Sequence, residues 1–198
     1  MTHVLHLVDD DTGFRTALAR LLRTIGHTVR EYESAEAFLA AGAPAPGCLL
    51  LDVHMPGLSG IELQEHLTAH ASRVPIIFIT GQGDIPMSVR AIKAGAEDFL
   101  TKPVGRAALE EAIARALERV VRTGAEVALQ EARTRQLALL SNREREVAAL
   151  LAEGWLNKKV AAALGTTERT IKAHRASIME KLGIRSVVEL ARLLDPRQ

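Results

Sequence analysis

Two hydrophobic periodicities alternate through the first 120 residues of this 198-residue chain. Short apolar runs of strand length recur, and positions with the spacing of a buried helix face lie between them. The strand-like runs are residues 4–8, 28–32, 48–51, 76–79 and 98–100. Strands that alternate with helices favour a parallel sheet covered on both faces, because parallel strands need crossover connections. We therefore predict an α/β fold with a five-stranded parallel sheet.

Polar groups follow these runs at the points where the strands would end. Acids at positions 9–11 follow the first run, and Asp52 follows the third, within the segment LLLDVHMPGLSG. Thr80 comes after the fourth run and Lys102 after the fifth. The carboxyl ends of parallel strands meet at one edge of the sheet, where ligands bind. We therefore expect these side chains to converge on one site.

The chemistry of such a cluster suits a cation and a phosphoryl group. Neighbouring carboxylates repel each other unless a cation joins them, and oxygen ligands of this kind suit Mg²⁺. A lysine and a hydroxyl group can donate to phosphoryl oxygens, and an aspartate can act as the nucleophile. The alternative is that each acid only caps a helix, as Asp11 or Thr12 would for the first one. Polar groups of suitable chemistry follow four of the five predicted strands, and this repeated pattern disfavours the alternative.

The segments VDDD, DVHMPGLSG, IFIT and TKP resemble the receiver domain of two-component response regulators, over residues 1–120. The resemblance implies a flavodoxin-like strand order, with Asp52 as the residue that a sensor histidine kinase phosphorylates. It also implies that Thr80 and Lys102 contact the phosphoryl group. The Mg²⁺ needed for phosphorylation would be bound by Asp9, Asp10, Asp52 and the backbone carbonyl of His54.

The same resemblance implies a switch and a controlled rate of phosphoryl loss. Thr80 and Phe99 correspond to the switch pair of the family, in which the packing of the aromatic ring follows the state of the threonine. A plain core role for Phe99 is the alternative. A cis peptide bond is implied between Lys102 and the following proline. The side chains of His54 and Gln82 would line the mouth of the site and tune dephosphorylation.

The segment GQGDIPMSVRAIKAGAEDF resembles the FixJ-type subgroup in particular. In that subgroup, the face made by the fourth helix and the fifth strand forms a dimer interface after phosphorylation. Pro86 suits the first turn of the fourth helix in this chain, and Gly95 would end that helix. On this resemblance, homodimer contacts are expected from Val89, Arg90, Lys93 and Glu97.

Charge and composition set the rest of the chain apart. Residues 1–140 carry 14 Lys and Arg against 17 Asp and Glu, whereas residues 141–198 carry 11 against 7. The basic excess of the second part points to a polyanionic partner. Residues 106–139 contain no proline and have a helical pattern, so we predict a helical linker over 121–139. It is either continuous or broken near Gly124, because glycine in a helix interior costs about 1 kcal/mol.

Start and stop signals divide residues 140–198 into four helices. Ser141 and Ser186 each have a glutamate three residues later, which is the spacing of a capping box. Asn157 suits the cap of a short second helix, and Thr166 or Thr167 suits the cap of the third. A short helix, a glycine turn and a longer helix make a helix-turn-helix unit.

The outward side of that third helix combines small residues with lysine and arginine. Small residues allow close approach to base edges, and the cations can reach phosphates or guanine. A solvated basic face is the alternative interpretation of this pattern alone. The segments LSNREREV, GWLNKKVAAALG and TTERTIKAHRASIMEKLGIRS resemble the DNA-binding domain of LuxR, FixJ and NarL proteins. The resemblance implies that double-stranded promoter DNA is bound through Lys172 and Ala173, with Arg169, His174, Arg175, Ala176, Lys158 and Lys159 as further contacts.

Composition excludes several other classes of protein. The single cysteine, Cys48, excludes an internal disulfide and a cysteine-based zinc site. No apolar run is long enough to span a membrane. The first residues lack the pattern of a signal peptide, so a cytoplasmic location is expected.

These features together predict a phosphorylation-controlled DNA-binding transcriptional regulator, not an enzyme beyond slow self-dephosphorylation. A sensor histidine kinase would phosphorylate Asp52, which would promote dimerisation and promoter binding, and RNA polymerase is a further candidate partner. The alternative is a phosphotransfer sink or protein-interaction receiver with little DNA-binding role. The predicted domains are a receiver over 1–120, a linker over 121–139 and a helix-turn-helix domain over 140–198.

Overall fold

The structure is a computed structural model that describes residues 3–42, 46–81 and 85–195. The chain divides into two compact units, residues 1–125 and 126–198. Within the described ranges, no helix has both the length and the apolar character that crossing a membrane requires.

Strands and helices alternate along the first unit. Its elements are β1 Val4–Val8, α1 Thr12–Thr24, β2 Thr28–Tyr32, α2 Ala35–Ala40, β3 Gly47–Leu51, α3 Gly60–Ala69, β4 Ile76–Thr80, α4 Ile85–Lys93, β5 Asp98–Thr101 and the first part of α5 Arg106–Ala138. The described strands form one parallel sheet in the order β2-β1-β3-β4-β5. This confirms the predicted fold class and strand order. The observed strand ends differ from the predicted ones by one residue at most.

The central strands are buried on both faces. In β3, Leu50 belongs to the core formed with α1 and α5, whereas Leu49 and Leu51 belong to the core formed with α2, α3 and α4. All three leucines are fully shielded from solvent, and each such burial contributes about 1.5–3 kcal/mol. Successive side chains of a strand point to opposite faces of the sheet, so the three leucines are shared between the two faces. Because both faces are covered, the sequence of β3 is apolar throughout.

Two glycines permit close backbone approaches around β3. A Cβ atom on Gly47 would lie 1.7 Å from the carbonyl oxygen of Val4, and one on Gly60 would lie 2.1 Å from the carbonyl oxygen of Asp52. Any larger residue would force the backbones apart at either position. Gly60 therefore allows the N-terminus of α3 to lie directly against Asp52, the residue that follows β3.

The second unit is helical. After the last part of α5 come α6 Asn142–Ala152, α7 Asn157–Ala163, α8 Glu168–Leu182 and α9 Val187–Leu194. The described residues thus confirm the predicted all-α domain of four helices. The apolar faces of these helices share a core that includes Val147, Leu151, Val160, Ile171 and Ile178.

Part of the predicted linker packs within this second unit. Leu137 lies against the core, and the side-chain amide of Gln136 donates to the carbonyl of Leu182 at 2.8 Å. The helix α5 runs from Arg106 to Ala138 and passes through Gly124. Of the two forms considered for the linker, the continuous helix is the one observed.

Two of the predicted helix starts in this unit are confirmed. Ser141 and Glu144 form a reciprocal capping box at the start of α6. Thr167 caps α8 through its side-chain oxygen, and Gly183 ends that helix in the left-handed conformation with φ 65°. These ends depend on contacts three or four residues apart, which is why the sequence pattern predicts them.

Of the other two predicted caps, the one at Asn157 is wrong, and the one at Ser186 is confirmed without its reciprocal capping box. The cap position of α7 is Leu156, and Asn157 is the first residue inside the helix because extended backbone geometry ends one residue earlier than expected. Ser186 does cap α9, but Glu189 accepts from the N–H of Arg185 at 3.2 Å instead of from the N–H of Ser186. The box at α9 is therefore not reciprocal.

An ionic network centred on the buried Glu144 joins α6 to α8. The Glu144 side chain accepts hydrogen bonds from Lys181 Nζ at 2.7 Å, from the Ser141 N–H at 2.8 Å and from Ser177 Oγ at 2.7 Å. The ammonium of Lys181 in the first place, and then the two serine donors, hold the pKa of Glu144 at about 2. The carboxylate therefore stays ionised and ties the start of α6 to the last turn of α8.

Candidate functional site

The carboxyl edge of the sheet brings together side chains that are far apart in the sequence. Asp9 follows β1, Asp52 follows β3 and Lys102 follows β5. Lys102 Nζ lies 2.6 Å from Asp9 Oδ2 and 3.3 Å from Asp52 Oδ2. Thr80, at the end of β4, is fully buried, and its carbonyl accepts from the Lys102 N–H at 2.8 Å. These four predicted site residues therefore lie together.

Three carboxylates at this edge form a candidate cation site. Asp9, Asp10 and Asp52 each offer an oxygen, and these oxygens lie within 4.8 Å of one another. Asp9 and Asp52 are buried, whereas Asp10 is exposed and leaves one side open to water. Hard cations such as Mg²⁺ prefer oxygen ligands and keep some of their waters. The donor set therefore fits Mg²⁺.

The charges at this edge are out of balance. Burial raises the pKa of Asp9, and the hydrogen bond from Lys102 opposes only part of that rise. Burial alone would lower the pKa of Lys102, but the carboxylates of Asp9 and Asp52 outweigh it, so this pKa is raised and the lysine stays protonated. A single ammonium group thus contacts two of the three clustered acids. A divalent cation would neutralise the remaining negative charge.

The loop after β3 orients Asp52. The Val53 N–H donates to Asp52 Oδ1 at 2.8 Å, whereas Oδ2 faces Lys102. The loop is braced by Glu36 of α2, which accepts from the Leu58 N–H at 2.8 Å, and this bond lowers the pKa of Glu36. Glu36 was missed at the level of sequence because a contact across 22 residues leaves no local pattern.

Two residues of α1 also reach the site, and neither was predicted to do so. Lys102 Nζ lies 4.0 Å from the centroid of the Phe14 ring, which is a cation–π contact. Arg15 donates to the carbonyl oxygen of Asp9. Asp11, the third acid of the VDDD segment, caps α1 by accepting from the Phe14 N–H at 3.0 Å. The helix therefore supports the cluster from one side.

The other described residues that were predicted for this site lie around its margin. Phe99 is partly buried on β5, and its ring centroid is 6.0 Å from that of Phe78 on the neighbouring strand. The peptide bond between Lys102 and the following proline is cis, as the resemblance implies. His54 is exposed in the loop after Asp52. Gln82 lies outside the described residues.

The predicted dimer face lies mainly on α4. Arg90 and Lys93 are exposed there. Glu97 differs, because it already forms an ion pair with Arg119 of α5 at 3.2 Å. The exposed apolar side chains of α4 are Ile85, Val89 and Ile92. Sequence periodicity did not single out the two isoleucines, since it does not reveal which apolar positions remain uncovered.

The helix-turn-helix unit presents basic side chains to solvent. Gly165, with φ 61°, makes the turn between α7 and α8. Lys172 Nζ lies 3.4 Å from the Glu168 carboxylate, and Lys159 Nζ lies 3.7 Å from the ring centroid of Trp155. The exposed members of the predicted DNA-contacting set are Lys158, Lys159, Arg169, Lys172, Ala173 and Ala176, and the half-buried ones are His174 and Arg175.

The two units match two family models. Residues 5–114 match the response regulator receiver domain, and residues 138–194 match the bacterial regulatory proteins of the luxR family. The chain is a response regulator. It belongs to the group whose receiver controls a LuxR-type DNA-binding domain, and it is therefore a phosphorylation-controlled regulator of transcription.

Relatives of this response regulator match along nearly its whole length. The transcriptional regulatory protein FixJ of Azorhizobium caulinodans is 41% identical over 190 residues, which cover 96% of this chain and 90% of FixJ. The response regulator protein TmoT of Ectopseudomonas mendocina is 42% identical over 193 residues, covering 97% of this chain and 88% of TmoT.

Solved structures agree with these matches. The response regulator StyR has 43% identity and a TM-score of 0.88, with 98% of each chain covered. Full-length FixJ from B. japonicum has 38% identity and a TM-score of 0.60, with 98% of this chain and 96% of that chain covered.

Proposed function

We propose that Asp52 accepts a phosphoryl group from a sensor histidine kinase and that this modification controls DNA binding. The observation that carries the proposal is the convergence of Asp52 Oδ2, Lys102 Nζ and the acids Asp9 and Asp10 at one edge of the sheet. A nucleophilic oxygen, a fixed cation and a site for a divalent cation are what phosphoryl transfer to a carboxylate requires.

The transfer itself uses few protein groups. Asp52 Oδ2 attacks the phosphorus atom of the kinase phosphohistidine, an O–P bond forms and the N–P bond breaks, leaving the electron pair on the imidazole nitrogen. Lys102 and the Thr80 hydroxyl donate to the phosphoryl oxygens as charge shifts onto them. Bound Mg²⁺ would neutralise phosphoryl charge, with Asp9, Asp10, Asp52 and the backbone carbonyl of His54 as its ligands.

Loss of the phosphoryl group should be slow self-dephosphorylation by water. His54 and Gln82 would set its rate from the mouth of the site. The phosphorylated state would be sensed by the Thr80 hydroxyl and passed to Phe99 on the paired strand β5, since a switch needs an element with two packings.

We propose that the chain divides into a receiver over 1–120, a linker over 121–139 and a DNA-binding domain over 140–198. Phosphorylation would promote a homodimer through Val89, Arg90, Lys93 and Glu97, and two linked domains then bind paired half-sites more tightly than one. RNA polymerase is a further proposed partner at the promoter. The side chains proposed to contact DNA are Lys172, Ala173, Arg169, His174, Arg175, Ala176, Lys158 and Lys159.

The acceptor is tested by replacing Asp52 with Asn. We expect Asp52→Asn to reduce incorporation of label from a kinase or a small phosphodonor to background, because an amide is not a nucleophile. The matched control is Asp98→Asn, which removes a half-buried acid paired with Arg115 away from the cluster. Full labelling of Asp52→Asn would show that the acceptor lies elsewhere.

DNA binding separates this function from a phosphotransfer sink. A gel-shift titration of genomic fragments with the full chain, with and without phosphodonor, should give a shift that strengthens on phosphorylation. The exposed cations on α7 and α8 favour this outcome. Normal labelling of Asp52 without any DNA shift would instead support the sink.

A further inference from the structure

Two histidines lie side by side at the C-terminal end of α3, at the opposite end of this helix from the acidic cluster. His66 and His70 are the only pair among the seven histidines of the sequence with the spacing i, i+4. Both side chains are exposed, and their ring centroids are 4.2 Å apart with the planes inclined by 32°. Two histidines one helical turn apart are the arrangement with which helices bind zinc in HExxH sites.

A hydrogen bond prepares one of the rings for coordination. His70 Nδ1 lies 2.8 Å from the carbonyl oxygen of His66. A carbonyl only accepts, so Nδ1 must carry the proton, and in the neutral ring the lone pair then lies on Nε2. Metal-bound histidines commonly donate their second ring nitrogen to a backbone carbonyl in this way. The tautomer of His70 is therefore the one that a metal needs.

The position on the helix also favours a cation. His66 lies in the last turn of α3 and His70 is its C-cap residue. The C-terminal end of a helix carries partial negative charge from its unpaired carbonyl groups. A metal bound by the two rings would lie at this end, whereas Gly60 at the other end contacts Asp52. The rise of ten helical residues separates the two ends by about 15 Å, so the histidine pair is distinct from the acidic cluster.

We propose that His66 and His70 form a binding site for a divalent transition-metal ion of the Zn²⁺ type, with water in the remaining coordination positions. Imidazole nitrogen suits such ions, whereas the all-oxygen cluster around Asp52 suits Mg²⁺. Zn–N distances of about 2.0–2.1 Å in tetrahedral geometry place the two nitrogens roughly 3.3 Å apart. Both side chains are exposed, so rotation about χ1 and χ2 can bring the two nitrogens to this separation.

The test is a calorimetric titration of the full chain with Zn²⁺ in the presence of excess Mg²⁺, which occupies the acidic cluster. We expect one Zn²⁺ per chain at the histidine pair. His66→Ala and His70→Ala should each weaken that binding about tenfold or more, because each removes one of two protein ligands. The matched control is His27→Ala, a half-buried histidine outside α3, which should leave the affinity unchanged.

Nitrogen chemical shifts of the histidine rings, followed in the same titration, locate the metal directly. The Nε2 resonances of His66 and His70 should move together and saturate at one equivalent, and circular dichroism should show that both alanine variants remain folded. Unchanged Zn²⁺ affinity in the double variant His66→Ala/His70→Ala, or unmoved resonances of the two rings, would refute the site. Neither measurement depends on phosphorylation of Asp52.

Discussion

Lys102 is the residue on which the charge balance of the acidic cluster depends. It contacts the carboxylates of Asp9 and Asp52 and lies over the Phe14 ring. Without it, the buried carboxylates of Asp9 and Asp52 would face each other and Asp10 without the ammonium group that contacts both of them. The energetic cost of an uncompensated buried charge exceeds the net gain from a paired one.

Lys102→Ala should therefore lower the free energy of unfolding of the first unit by about 2 kcal/mol at neutral pH. Mg²⁺ should recover much of this loss, since it supplies the missing positive charge. Chemical denaturation followed by circular dichroism, with and without Mg²⁺, measures both effects. Lys93→Ala removes an exposed lysine of α4 and serves as the control, with an expected change within about 0.5 kcal/mol. If Mg²⁺ did not reduce the loss of unfolding free energy in Lys102→Ala, the role of Lys102 in balancing the charge of the acids would be refuted.

Lys172 and Lys159 should act differently on DNA. Lys172 lies on the exposed side of α8, and Lys172→Ala should weaken operator binding by about 1–3 kcal/mol and relax base preference at one position. Lys159 is held over the Trp155 ring, and Lys159→Ala should weaken binding to all sequences and reduce the salt slope by about 1. Fluorescence anisotropy on operator and scrambled DNA at several salt concentrations distinguishes them. If Lys172→Ala left the operator binding isotherm unchanged, Lys172 would not be one of the residues that recognise the DNA sequence.

Among the helices, α3 ends in an unusual way. The chain leaves it through Ala71 in the left-handed conformation, with φ 54°, and the Ser72 N–H donates to the Leu67 carbonyl at 2.9 Å. This is the geometry of a Schellman motif, in which glycine is the usual residue. Other helices of the chain do place glycine there, as Gly154 does after α6 with φ 84°. Alanine at this position stores strain, because its Cβ crowds the following carbonyl.

Ala71→Gly should consequently stabilise the first unit by about 1 kcal/mol. The same substitution two residues earlier, Ala69→Gly, changes the last residue of α3 and should destabilise the helix by about 0.5 kcal/mol, because glycine loses more backbone entropy in a helix. Urea denaturation of the two variants measures this pair of opposite changes. If both substitutions changed the stability in the same direction, the left-handed conformation of Ala71 would not be the cause of the effect.

At the level of the molecule, contacts between residues far apart in the sequence hold each unit together internally. Glu144 makes the clearest such contacts in the second unit. Its pKa is held at about 2 by Lys181, Ser141 and Ser177, against an ordinary value of 4.5. A carboxyl group whose pKa is lowered by folding stabilises the folded state above its unfolded pKa. That contribution is full above about pH 4.5 and is lost as the pH falls toward 2.

Wild type and Glu144→Gln should therefore differ most in stability near neutral pH, and the difference should shrink as the pH falls through this window. Trp155 is the one tryptophan of the chain and belongs to the second unit, so its fluorescence during urea denaturation reports on that unit. Glu153→Gln, at the exposed C-cap of α6, is the control and should change little at any pH. A constant difference between wild type and Glu144→Gln across the window would mean that Glu144 acts only through packing.

Local interactions explain why much of the molecule could be predicted before the structure was known. Alternating periodicity gave the strands of the sheet to within one residue, and the capping spacing at Ser141 gave the start of α6. The order of Asp9, Asp52 and Lys102 along the strands predicted their convergence, because a parallel sheet places all strand ends of one kind at one edge. All of these effects act within a few residues or follow from topology alone.

Distant packing decided the rest. The sequence does not specify that Oδ2 of Asp52 faces Lys102, that Glu36 braces the loop after β3, or that Lys102 lies over Phe14. The spacing of His66 and His70 is visible in the sequence, but the tautomer of His70 depends on a backbone carbonyl in the folded helix. Such contacts depend on the register of strands and the seating of helices over long chain separations. Their free energy comes from groups that meet only after the chain has folded.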